Sequence, residues 1–231
     1  MPSSNLRPLN CNLSTVSLCA RARWFLAGLL LFLPALPAQA QTAEPAPASA
    51  DRHVARRAAD FVTFLAGGAI ALGAHEGGHL LFDGIFDADP RIESVHFGPI
   101  PFFAVTHRAG LSPRREFTIS SAGFWVQEGS NEWILAARPD LRHEHAPLVK
   151  GIFAFNVLTS IGYGTVAVAR AGPFERDTRG MSQIGVSEPA IGAIIIAPAL
   201  LDAYRYFHPE SKWAKWAARA AKVGGVFLVV K

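Results

Sequence analysis

Residues 151–169, GIFAFNVLTSIGYGTVAVA, carry no charged side chain and match the thickness of a bilayer's hydrocarbon core. Similar apolar runs recur at 61–86, 117–137 and 185–207, and a last segment, 212–230, begins basic and amphipathic and ends wholly apolar. Strand signals are confined to the 91–115 region, so the reading is mostly helical. Half of the chain is hydrophobic (50%) and 17% is charged, against about 25% charged in ordinary soluble domains. The fold class expected is therefore mainly α, a polytopic membrane helical bundle. Gly- and Ala-rich helices that pack at close distance suit that setting. The alternative is the same helices burying one another in a soluble exported domain.

Between the first two long runs lies RIESVHFGPIPFFAVTHR (91–108), rich in Val, Ile and Phe and broken at Gly98-Pro99. That pattern predicts a short β-hairpin after the first helix. The run at 185–207 is interrupted by Pro189 and Pro198.

The N-terminal region reads as an export segment. Arg21 and Arg23 precede an apolar stretch that ends in Ala38-Gln39-Ala40, a small-x-small cleavage pattern. Residues 1–40 are expected to be a signal peptide, or alternatively a retained anchor, and the Pro/Ala-rich 41–58 a flexible linker. Residues 59–231 form the working domain. Cys11 and Cys19 both fall in the leader, so the mature chain has no thiolate ligand and no disulfide. Any metal must be held by His, Asp or Glu.

The net charge is +4, with the arginines scattered along the chain. No basic stripe marks a nucleic-acid partner. Membrane lipid is the partner expected, and an exported integral protein of a bacterial cell membrane is the expected localisation.

The chemistry is concentrated at His75-Glu76-Gly77-Gly78-His79, an HExxH sequence inside AIALGAHEGGHLLFDGIF. On a helix the two imidazoles lie one turn apart on the same face and can reach one cation. Glu76, next to the first histidine, is placed to act on water rather than on the metal. Three ionisable groups in an apolar run are costly unless paired, metal-bound or wet. That setting argues for a zinc site and against a chance match.

A third ligand must come from elsewhere. Asp83 continues the same helix, but positions 75, 79 and 83 spread over about 12 Å, so Asp83 is expected to cap or pack. Glu128 and Glu132 are glutamate candidates, and Asp177 and Asp202 are aspartate candidates. His143-Glu144-His145 lies in a charged connector and reads as a solvated loop. Gly77 and Gly78 each weaken a helix by about 1 kcal/mol relative to Ala. They would offset this by letting a helix or a substrate backbone approach the metal face.

The order of these features resembles the site-2 protease family of intramembrane zinc metalloproteases. HExxH with Gly just before the second His, the Gly-Pro step in VHFGPIPFF, and Ala122-Gly123 in ISSAGFWVQ carry the resemblance. The chain departs from the family pattern with Phe124 where Pro is usual and Gln127 where Asn is usual. The resemblance covers roughly residues 60–205. It implies a zinc metalloprotease that cleaves a peptide or transmembrane protein substrate in or beside the membrane, with Glu76 as catalytic base. It also implies an aspartate as third ligand, from a Leu-Asp-Gly motif that this chain lacks. Asp177, with Gly180 three residues on, is closest in order and is preferred. Asp202, preceded by Leu200 and Leu201, is the alternative. A non-catalytic metal-binding protein and a soluble exported zincin are the competing readings.

Overall fold

The computed structural model describes residues 49–97, 100–172 and 175–230. The expected signal segment, with its cysteines, and the Gly98-Pro99 break lie outside these residues. The elements are α1 (Ser49–Phe86), β1 (Arg91–Phe97), β2 (Ile100–Thr106), α2 (Pro113–Ala137), α3 (Pro147–Ala169), α4 (Asp177–Ser182), α5 (Glu188–Phe207) and α6 (Lys212–Val230). The fold is mainly helical, with one hairpin directly after the HExxH helix. β1 and β2 pair antiparallel, from Arg91 opposite Thr106 to Phe97 opposite Ile100.

Helix α1 starts at Ser49, inside the stretch expected to be a flexible linker. The reason is local: from residue 52 the sequence is RHVARRAAD, dominated by the good helix formers Ala and Arg, while the prolines lie upstream. Proline opens three of the other helices rather than breaking them. Pro113 follows the Ser112 N-cap, whose Oγ accepts from the Arg115 N–H, and Pro147 and Pro189 stand at the first turns of α3 and α5. Pro198 sits inside a continuous α5 and is buried there.

The helices cross where side chains vanish. A Cβ on Gly67 would strike the Leu148 carbonyl, and one on Gly151 the Phe64 carbonyl, so α1 and α3 touch backbone to backbone. The α3–α5 crossing runs over Gly164 and Gly192 in the same way. Helix α2 packs against α1 and reaches α3 and α5 behind it. Phe117, Phe124, Met181, Ile191 and Ile195 form one apolar cluster, and Ile134, Leu135, Leu141, Phe153 and Val157 form a second.

A buried polar ladder joins α2 to α3. Asn156 Nδ2 donates to Ser130 Oγ (2.7 Å) and to Asn131 Oδ1 (3.0 Å), and Ser160 Oγ donates to Gln127 Oε1 (3.3 Å). Among the described residues three helices, Arg52–Phe86, Pro147–Ala169 and Glu188–Phe207, are long and apolar enough to cross a membrane.

Candidate metal centre

His75 and His79 lie on the buried side of α1, 2% and 4% exposed. Their Nε2 atoms are 3.1 Å apart. Asp177 Oδ2 stands 3.5 Å from His75 Nε2 and 3.6 Å from His79 Nε2. A tetrahedral ion with bonds of about 2.0–2.1 Å separates its ligand atoms by about 3.3 Å. The triangle of two imidazoles and one carboxylate therefore has the edge lengths and the donor chemistry of a zinc site. Among the described residues it is the group able to hold a metal ion.

Each donor is held from outside. His79 Nδ1 lies 2.7 Å from the Ile119 carbonyl oxygen. That oxygen can only accept, so the proton belongs on Nδ1 and the Nε2 lone pair faces the centre. The His75 ring lies flat against Gly123 of α2, where a Cβ would come within 2.5 Å of Cε1. Phe124 meets the same ring edge-on at 5.3 Å.

Asp177 arrives on α4, a helix that sequence periodicity does not reveal because it is a single turn and a half. Glu188, at the start of α5, fixes that helix. Its carboxylate accepts from Arg176 Nε and from Arg176 Nη2 (2.7 Å), and Thr178 Oγ1 donates to it at 3.0 Å. Gly180 lets α4 settle onto Ser120 and Glu116. Burial pushes the Asp177 carboxyl up, but the neighbouring imidazoles outweigh it and hold the group below the usual carboxylate range.

The other candidates lie elsewhere. Asp202 is fully buried against Lys222 Nζ (2.7 Å) and Arg205 Nη1 (3.0 Å), in a charge network between α2, α5 and α6. Glu132 belongs to the same network. Burial pushes its carboxyl up, and Arg205, Arg219 and Lys222 bring it down to about 2. Glu128, facing Lys222 at 3.7 Å, is pushed up to about 8 by burial. All three acids face the basic side of α6 and stand apart from the histidines.

Asp83 is 0% exposed and points at His107, whose Nδ1 is 3.5 Å away, while His107 Nε2 donates to Glu116 at 2.9 Å. It therefore packs at the end of α1, as expected, and stands outside the metal group. His107, missed in the sequence, has no motif to reveal it. His143 and His145 are exposed and pair with Asp140 and Asp60, as a solvated connector would.

The two glycines of the motif differ. Gly78 faces α2, where a Cβ would come within 2.9 Å of the Ala122 carbonyl oxygen; around Gly77 there is open space. The expected close helix approach holds at Gly78 alone.

Glu76 opens onto a cavity of about 330 Å³ shared with His75 and Asp177. Its walls are largely apolar, built from Leu72, Phe155, Val166 and the β2 residues Phe103 and Val105. Tyr163 also lines it, 6.2 Å from the His75 ring, centroid to centroid. Another cavity, of about 270 Å³, also reaches Asp177 and is lined by His79, His107 and Glu116. Comparison with protein families, with curated proteins and with solved structures gives no match.

Proposed function

We propose that the chain is a membrane-embedded zinc metallopeptidase that hydrolyses peptide bonds in or next to the bilayer, as the site-2 protease resemblance implies. The observation that carries this reading is the triangle of His75 Nε2, His79 Nε2 and Asp177 Oδ2 at 3.1–3.6 Å, with Glu76 beside it at an apolar cavity. The embedding is supported by the outer face of α1. Phe61, Val62, Leu65, Ile70, Leu81 and Ile85 are all more than half exposed along one apolar helix, a surface that water tolerates poorly and lipid accepts.

His75, His79 and Asp177 would hold the ion. Zinc bound there supplies Lewis acidity, which makes water acidic near neutral pH and polarises a scissile carbonyl. Glu76 takes the proton from the attacking water as the new C–O bond forms. It then delivers that proton to the amide nitrogen as the C–N bond breaks. Strand β2, whose Phe103, Ala104 and Val105 line the cavity, offers main-chain groups to an extended substrate segment. Such pairing would also draw a helical substrate open.

The test uses the full chain purified in detergent. Wild type is expected to carry zinc by elemental analysis, and His79→Ala to lose it. Glu76→Gln should keep zinc and lose at least about a hundredfold of its activity on an unfolded apolar peptide. Zinc-loaded wild type with no hydrolysis would move the reading to a non-catalytic metal-binding protein. Recovery of the chain without detergent would remove the membrane from it.

A further inference from the structure

We propose that the first two turns of α6 are an interfacial anchor that lies in the headgroup layer of an anionic bilayer. Trp213 and Trp216 sit at the acyl boundary, and Lys212 and Lys215 reach lipid phosphate. The proposal rests on the membrane embedding read above and adds to it a surface and a lipid class.

Helix α6 sorts its residues by face. The inward side is alanine, with Ala214 and Ala218 0% exposed. Lys212, Trp213, Lys215 and Trp216 are all exposed, and at 3.6 residues per turn they fall on the opposite side. The two indoles are 61% and 66% exposed. Water tolerates such an outward apolar patch poorly. A headgroup layer accepts it, because an indole has an apolar body and one N–H to donate.

The cations of the same helix divide into two sets. Arg219 Nε lies 2.8 Å from Glu132 Oε1, and Lys222 Nζ lies 2.7 Å from Asp202 Oδ2, so both are engaged in the charge network with α2 and α5. Lys212 and Lys215 pair with no carboxylate among the described residues. The nearest acid along the chain, Glu210, turns to His208 at 3.8 Å. Two uncompensated amines flanking two indoles complement a layer of phosphates, whose field attracts each nearby lysine.

Helix α5 sets the level of this surface. It is long and apolar enough to cross a membrane and ends at Phe207, whereas α6 is not among such helices in the described residues. The Tyr204 ring, in the last turn of α5, lies 5.2 Å from Trp213. Phe207 is 52% exposed, with the Arg142 guanidinium over its ring at 5.3 Å. Aromatic rings and cations thus gather where a candidate span stops, as they do at a membrane–water boundary.

The test places the detergent-purified full chain in nanodiscs of equimolar phosphatidylcholine and phosphatidylglycerol. One lipid or the other carries bromine, either near the headgroup end of its acyl chain or deep in it. The fluorescence of Trp213 and Trp216 is the difference between wild type and the double variant Trp213→Phe/Trp216→Phe. Shallow bromines should quench that difference more than deep ones. Brominated phosphatidylglycerol should quench it about twofold or more over brominated phosphatidylcholine. Lys212→Gln/Lys215→Gln should equalise the two lipids, and so should high salt on the unaltered chain.

Stronger quenching by deep bromines overturns the proposal, as does equal quenching by the two lipids in wild type. A lipid preference that survives both the double Gln variant and salt overturns it too. If the chain enters the nanodiscs but this signal is unquenched, only the anchor falls, and the basic face is left to an acidic protein partner. If the chain stays out of the nanodiscs, the embedding itself falls.

Discussion

Gly123 lies directly beneath the imidazole of His75, so close that a Cβ at that position would stand 2.6 Å from Nδ1 and 2.6 Å from Nε2. The small residue on α2 thus determines where the His75 ring on α1 can be. Gly123→Ala is expected to displace the ring and cut zinc affinity at least tenfold, read by chelator competition. Gly77→Ala has open space around it. It should keep zinc and raise the thermal stability slightly, by up to about 1 kcal/mol, from helix propensity alone.

The two aspartate candidates separate cleanly. Asp177→Asn should lose zinc by more than the 10–100-fold typical of an outer-shell change. Asp202→Asn should retain zinc. It takes from Lys222 its closest carboxylate and leaves Arg205 with Glu132, which costs less than the about 3–5 kcal/mol of a fully broken buried pair. Metal content and denaturant midpoint, measured on both variants, check the pair of outcomes.

Glu188 is expected to matter for metal binding although it touches no ligand. It anchors Arg176 and Thr178, the residues on either side of Asp177. Glu188→Ala should free the start of α4 and weaken zinc about tenfold by letting the third ligand drift. His75 and His79 should stay in place, so the same variant should still bind a metal that needs two imidazoles, such as nickel. Isothermal titration with both metals tests this.

His107 sets a pH dependence. Its hydrogen bond to Glu116 raises its pKa above the usual imidazole value, burial opposes this, and the Glu116 and Asp83 carboxylates add to the rise. A raised folded pKa means that the protonated clamp stabilises the fold fully below about pH 6.5. That contribution fades as pH rises through the higher folded value. The stability difference between wild type and His107→Gln should therefore be largest in mild acid and shrink toward alkaline pH. Thermal midpoints across that range measure it.

Much of this site is legible along the chain. HExxH sets two imidazoles one turn apart with a carboxylate beside the first, because a helix turn alone brings His75 and His79 together. The hairpin after α1 is readable from β-branched and aromatic residues around Gly98-Pro99. What local patterns do not carry are contacts made across long sequence separations. Asp177 and Asp202 are both aspartates beside an apolar helix, and nothing in their neighbours' letters tells which one reaches the histidines. The charge network around Lys222 consumes Asp202, Glu128 and Glu132, and it exists only once α6 lies against α2 and α5.

By itself, then, the sequence determined a mainly helical chain, the hairpin, and an HExxH face set in apolar surroundings, since each depends on periodicity or spacing within a few turns. The tertiary structure alone decided which carboxylate lies beside the two imidazoles, the carbonyl that meets His79, and the glycine slot that seats His75. Those follow from where α2 and α4 dock on α1, and docking is decided by packing and buried charge summed over the whole fold.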